Sequence, residues 1–221
     1  MKILVSIENE KSFALTGELV DYVSGFKVNH LMWPRVKDMV NKIGLELFVD
    51  FKLWDTPNTM KTVIESLIEG GATMATVSTY NNPAALKAIS EYKDDIKLLG
   101  VTYLTSWSDQ EQYNITRDME SIMWRRSLER MHEYGFSGVI SSAHDISTIR
   151  NWGDADHKLL NICPGITIET PEGQPFHSGQ VRTTSPKEAQ ELGADYIVLG
   201  RAITQSDNPV ETILEMKESL E

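Results

Sequence analysis

Short apolar runs alternate with amphipathic stretches from one end of the chain to the other. Lys2–Ile7, Gly25–Asn29, Leu45–Leu53, Met74–Ser78, Ile96–Thr102, Gly138–Ser141, Leu159–Cys163 and Tyr196–Leu199 read as strands. Leu45–Leu53 (LELFVDFKL) is nearly continuous in apolar residues, the pattern of a strand buried on both faces. Helical patterns fill most of the gaps: Ser12–Val23, Pro57–Glu69, Pro83–Tyr92, Ile115–Tyr134, Pro186–Leu192 and Pro209–Leu220. Eight strands with intervening or trailing helices predict an α/β fold, a (β/α)8 TIM barrel. A doubly wound open sheet is the structural alternative, but its Gly-rich first turn is absent, since Ile7-Glu8-Asn9-Glu10 carries no glycine. No linker or low-complexity segment interrupts the pattern, so residues 1–221 are expected to form a single barrel domain. The one long irregular stretch is Gly165–Arg182, rich in Gly, Pro, Thr and Ser. Loops of that length are usually functional lids or disordered.

Composition narrows the function classes. At 221 residues the chain fits one domain near the ~250 residues typical of such barrels. With 41% hydrophobic and 24% charged residues it has the balance of a soluble globular protein. The net charge of −11, with a pI near 4.9, argues against a nucleic-acid surface. It leaves room for an anionic small molecule, because a few basic side chains can dominate one pocket. Cys163 is the single cysteine, which favours a reducing compartment. The N-terminus lacks a signal-peptide pattern, and no apolar run approaches the ~20 residues of a membrane span. A soluble, cytoplasmic protein is the expectation.

The densest chemistry lies in Asp50-Phe-Lys52-Leu-Trp-Asp55-Thr-Pro57-Asn-Thr59, where a lysine stands between two carboxylates as an apolar strand ends. Strand alternation puts Phe48, Asp50 and Lys52 on one face, and Thr56-Pro57 reads as a helix N-cap followed by proline at the first helical position. Active sites of parallel α/β folds are built at such strand-to-helix turns. Lys27 ends the second strand at the same mouth, so Lys27, Asp50, Lys52 and Asp55 form an alternating array that can keep every member ionised. A structural salt-bridge network is the other reading of the same charges. Gly200-Arg201 closes the last strand and suits a phosphate, through close backbone N–H approach and a bidentate guanidinium; a surface ion pair is the alternative. Gln180 and Arg182 in the long loop could close over such a group, although Arg182 suits solvent equally well. Thr105 and Ser106 offer hydroxyls at the mouth. The five histidines show no metal-ligand spacing. Cys163 reads as a packing residue, Trp107, Trp124 and Trp152 as core or helix-flank residues, and the acidic segment from Glu211 as a solvated helix face.

Asp50-x-Lys52-x-x-Asp55-x-Pro57-x-Thr59 resembles the signature of orotidine 5'-phosphate decarboxylase. The bacterial type is similar further along: Val101-Thr-Tyr-Leu-Thr105-Ser, Gly138-Val-Ile-Ser-Ser-Ala-His144, Pro164-Gly-Ile166, Gly179-Gln-Val-Arg182 and Gly200-Arg201-Ala-Ile-Thr204 follow in family order. The resemblance runs from about Lys2 to Pro209. It implies a homodimeric barrel that converts orotidine monophosphate to UMP and carbon dioxide with no cofactor and no metal. Lys52 would protonate C6 of the pyrimidine. Asp50 would press on the substrate carboxylate and hold Lys52 charged, and Lys27 would touch Asp50 and the ribose. Asp55 and Thr59 would reach across the dimer interface into a shared site. Thr105 would read the pyrimidine edge, while Gln180, Gly200 and Arg201 would hold the phosphate.

Four positions depart from that pattern. Ser6 stands where a ribose-binding aspartate is expected, Asn29 replaces a glycine, Ser78 a histidine, and Thr167 the arginine of Pro-Gly-Ile-Arg. Losing one charged phosphate contact costs roughly 1.5–3 kcal/mol, about tenfold or more in affinity. Asn9 and Arg182 are the neighbours that could compensate. Two other readings stay open. One is an enzyme of the same superfamily acting on a different phosphosugar with Mg2+, although those relatives usually carry glycine at the position of Pro57. The other is a nucleotide-binding protein that kept the barrel and lost turnover.

Overall fold

The computed structural model describes residues 1–36, 44–104, 106–152, 158–168 and 182–220. Eight parallel strands close on themselves in sequence order: β1 (Lys2–Ile7), β2 (Gly25–Val28), β3 (Glu46–Leu53), β4 (Met74–Ser78), β5 (Lys97–Val101), β6 (Gly138–Ile140), β7 (Leu160–Cys163) and β8 (Tyr196–Leu199). β1 pairs with both β2 and β8, so no strand edge is left open. This is the barrel predicted from the alternation of elements.

Strand parity sorts the side chains into two cores. Leu4, Phe48, Met74, Leu99, Ile162, Tyr196 and Val198 pack together inside the barrel. The intervening residues, such as Val5, Phe26, Val49, Leu98 and Ile197, pack outward in the larger cluster shared with the helices. Both faces are dry, which is why the strands read as continuous apolar runs. Register aligns Leu4 with Gly25 and Glu46, and Ser6 with Lys27 and Phe48. The polar residues of inward parity therefore fall at the two ends of the barrel. Lys2, Glu46 and Tyr196 meet at the N-terminal end. Lys27 and Asp50 meet at the C-terminal end.

Helices Pro57–Glu69 and Pro186–Leu192 have the predicted bounds, each with proline in the first turn. Two other expectations are corrected. Ser12–Val23 is two short helices, Glu10–Ala14 and Thr16–Leu19; the first starts at Asn9, whose side chain accepts from Ser12 N–H in a capping box. Ile115–Tyr134 is also two helices, Asp109–Thr116 and Glu120–Glu133. Ser108 and Glu111 form a capping box that starts the first one early, and Arg117 ends it in the left-handed region at φ 60°. Helices Ile146–Trp152 and Arg201–Thr204 carry no predicted counterpart; the second follows β8 directly. Ile213 and Met216 bury one face of Pro209–Glu218, leaving its acids outward.

Candidate active site

β3 ends in an irregularity. Its register with β4 shifts between Val49 and Leu53, and Lys52 takes a left-handed backbone at φ 51°. Such a conformation costs a non-glycine residue of order 1–3 kcal/mol and clusters at functional sites. Phe48 and Asp50 keep the expected alternation; at Lys52 the shift replaces it. The backbone N–H of Lys52 donates to Thr76 Oγ1 at 2.8 Å, and Thr76 Oγ1 donates to Asp50 Oδ1 at 2.9 Å. Thr76 is fully buried on β4 and holds both members of the motif at once. The Lys52 ammonium still reaches Asp50 Oδ1 at 2.9 Å, while Lys27 Nζ lies 3.3 Å from Asp50 Oδ2.

One carboxylate is thus shared by two ammonium groups. Burial works to raise the Asp50 pKa. The charges of Lys27 and Lys52, with hydrogen bonds from Lys52 and Thr76, outweigh it and hold the carboxyl below its ordinary range. Two cavities open beside this trio. One, of about 240 Å³, has Lys27, Asp50 and Lys52 among walls of Phe48, Val101, Leu104, Ile140, Ile162 and Val198. The other, of about 290 Å³, is more polar and includes Ser6, Glu8, Lys27, Gly165, Gly200 and Arg201. They share Lys27, Pro164 and Val198. Together they offer an apolar slot with a charged wall, continued by a cationic one.

The other predicted residues divide. Gly200 and Arg201 line the polar cavity, and a Cβ built on Gly200 meets nothing within 4 Å, so the backbone there borders open space. Ser6 lines it too, with its hydroxyl donating to Glu8 Oε1 at 3.0 Å. Asp55 does not join Lys52 within the chain: its carboxylate accepts from Thr56 N–H at 2.6 Å, and its own N–H donates to the buried Asn81 Oδ1. The Thr56 hydroxyl caps no helical N–H; it pairs with the Thr59 hydroxyl at 3.0 Å. Both threonines stay exposed. Thr167 N–H donates to Thr184 carbonyl in the stem of the long loop. Arg182 is half-buried and committed elsewhere, in a bidentate pair with Asp145 at 2.7 and 2.9 Å and a bond to Tyr103 Oη. Asn9 is likewise occupied as a helix cap. Thr105 and Gln180 lie outside the described residues.

Thr76, Glu8 and Asn81 escaped the sequence reading. Thr76 carried a usable signal, a polar residue at an inward position of an otherwise apolar strand; the other two carried none. Cys163 is buried, and burial pushes its thiol up to about 12, so it packs. Among the described residues, no group of three or more His, Cys, Asp or Glu is placed to hold a metal ion. Nor is any helix long and apolar enough to cross a membrane.

Residues 4–216 match the model of the orotidine 5'-phosphate decarboxylase / HUMPS family. The chain belongs to that family. An orotidine 5'-phosphate decarboxylase of Dictyoglomus thermophilum is 31% identical to it over 231 aligned positions, covering 97% of this chain and 91% of that one. The Ehrlichia canis enzyme of the same name is 36% identical over 177 positions, 79% of this chain and 75% of that one. In fold, the chain is similar to the crystal structure of orotidine 5'-phosphate decarboxylase from Lactobacillus acidophilus, with a TM-score of 0.78, 24% identity, and coverage of 99% and 98%. The match to the decarboxylase / HUMPS family includes most of β1, all of β2 to β8 and the described lining of both cavities.

Proposed function

We propose that this chain decarboxylates orotidine 5'-monophosphate to UMP and carbon dioxide in pyrimidine biosynthesis, without a cofactor. The observation that carries the reading is the Lys52 ammonium 2.9 Å from Asp50 on the wall of an otherwise apolar cavity that continues toward Arg201. A pyrimidine fits the apolar slot, the ribose falls beside Lys27, and the 5'-phosphate meets Gly200 and Arg201. The bond from C6 to the carboxylate breaks, its electron pair stays on C6, and Lys52 Nζ supplies the proton that replaces carbon dioxide. With no electron sink, the developing carbanion is stabilised by the preorganised ammonium. Asp50, kept ionised beside the substrate carboxylate, favours loss of that charge as carbon dioxide and keeps Lys52 protonated. Binding energy from the remote phosphate supports the step at C6.

The same reading makes the working unit a homodimer. Trp54, Tyr113, Ile115 and Met119 are all exposed. Trp54 and Ile115 border an apolar hollow that also includes Lys52 and Trp107. A patch of that kind marks an interaction surface. Asp55 and Thr59, exposed and turned from Lys52 in their own chain, then act in the partner's site.

The test is loss of orotate absorbance when purified protein meets orotidine monophosphate in EDTA. Turnover under chelation supports the proposal. Turnover that chelation abolishes would favour a metal-dependent enzyme on another phosphosugar, and UMP binding without turnover would favour a binding protein.

A further inference from the structure

Asp50 is not the only carboxylate set against Lys27. Glu8 Oε1 lies 3.9 Å from Lys27 Nζ, on the side of the polar cavity with Gly200 and Arg201. Its position is built. The Glu8 N–H donates to Ser12 Oγ at 3.0 Å, its carbonyl accepts from Asn29 Nδ2 at 3.3 Å, and its side chain accepts from Ser6 Oγ at 3.0 Å. Ser6 is 4% exposed and its hydroxyl proton is spent on Glu8, so the charged acceptor at this corner is the Glu8 carboxylate.

A negative charge in a cavity suited to phosphate works against the anion. What it favours is a neutral hydrogen-bond donor lying between the anionic group and the pyrimidine slot, and in a nucleotide those donors are the ribose hydroxyls. A hydroxyl donating to a carboxylate makes a charge-assisted bond, and its absence leaves the carboxylate unmatched. We propose that Glu8 is a specificity-determining residue that accepts hydrogen bonds from the ribose hydroxyls and so distinguishes ribonucleotides from deoxyribonucleotides. The assignment rests on the nucleotide reading above. Asn29 is a positioning residue for Glu8: its amide holds the Glu8 carbonyl, and its Oδ1 caps the next turn by accepting from Leu31 and Met32 N–H.

Calorimetric titration with UMP, 2'-deoxy-UMP and 3'-deoxy-UMP tests this without turnover. The unaltered protein is expected to prefer UMP over at least one deoxy form by roughly tenfold or more. Glu8→Ala should shrink that ratio to about twofold or less, chiefly by weakening UMP, with deoxy-UMP binding held or improved by removal of the negative charge. Glu8→Gln, which keeps an acceptor oxygen, should retain part of the preference. Equal weakening of all three ligands in Glu8→Ala, or an unchanged ratio, would overturn the role of Glu8 alone. Failure of the unaltered protein to bind UMP would overturn the nucleotide reading with it.

Discussion

At the N-terminal end of the barrel Lys2, Glu46 and Tyr196 converge; at the C-terminal end Lys27, Asp50 and Lys52 do. The first cluster is balanced: Glu46 Oε1 accepts from Lys2 Nζ at 2.7 Å and from Tyr196 Oη at 2.9 Å, and the ammonium lies 5.3 Å from the Tyr196 ring centre. None of its members lines either cavity of the candidate site. In the second, two ammonium groups share one carboxylate beside an open cavity, and the backbone of one takes a left-handed conformation. Both clusters set lysine against a carboxylate at an end of the barrel interior. The difference teaches that opposite charges on a strand do not by themselves mark a site. An excess of one charge, facing open space and held in a costly conformation, does.

The sharpest way to break that comparison is to remove one lysine from each end. Lys52→Ala is expected to lower kcat for orotidine monophosphate by about 10³-fold or more while leaving the melting temperature nearly unchanged. Lys2→Ala should do the reverse, keeping kcat and losing a little thermal stability, because an ion pair whose ammonium is more than half exposed contributes about 0–1 kcal/mol. Comparable kinetic losses in the two variants would erase the distinction.

In the proposed homodimer Asp55 completes the partner's C-terminal cluster, whereas Lys2, Glu46 and Tyr196 meet within one chain. Mixed Lys52→Ala and Asp55→Asn subunits are expected to form hybrid dimers with one intact site, giving about half the unaltered rate per hybrid. Proven heterodimers without recovered turnover would confine Asp55 to its own chain.

A smaller effect should come from the buried bridge under the site. Thr76→Val removes the acceptor of Lys52 N–H and a donor to Asp50, so kcat should fall roughly tenfold with KM less affected. A change in melting temperature without a change in kcat would make Thr76 merely structural.

The smallest effects separate the two carboxylates by pH. Asp50 is held below its ordinary pKa in the fold, so its stabilising contribution is present above the unfolded value of ~3.9 and lost as pH falls through the folded one. The deficit in melting temperature of Asp50→Asn relative to the unaltered protein should therefore shrink as pH drops below ~4. At the other end, the hydrogen bonds that the Lys2 ammonium donates to Glu46 and Tyr196 raise the Lys2 pKa. That contribution is complete below the unfolded value of ~10.4 and lost as pH rises through the folded one. The deficit of Glu46→Gln should accordingly shrink in alkali, with kcat unaffected at neutral pH. Opposite pH trends for the two variants are the signature of the comparison.

Hydrophobic periodicity alone determined the barrel. Strands dry on both faces must read as apolar runs, and helices between them must carry one apolar stripe, so element order and the mouth at the strand ends were legible. The Asp50–Thr59 motif was legible too, because alternating charge at the end of a dry strand is costly without a purpose. Helix ends were less so: Ser108 with Glu111, and the left-handed Arg117, split one predicted helix through local hydrogen bonds that the apolar pattern does not register.

Only the tertiary structure decided which charges meet. Lys27 and Asp50 are 23 residues apart and join through register. Thr76 reaches Lys52 and Asp50 from the neighbouring strand, and Arg182 pairs with Asp145. Asp55 turns to the Thr56 N–H, and Glu8 leans back over Ser6 to Lys27. The physical reason is that burial patterns are written along the chain, one face at a time, whereas a charge network depends on distances of about 3 Å between side chains from different strands. Those distances are fixed by barrel register, a bulge and a few buried hydroxyls, none of which has a local sequence period.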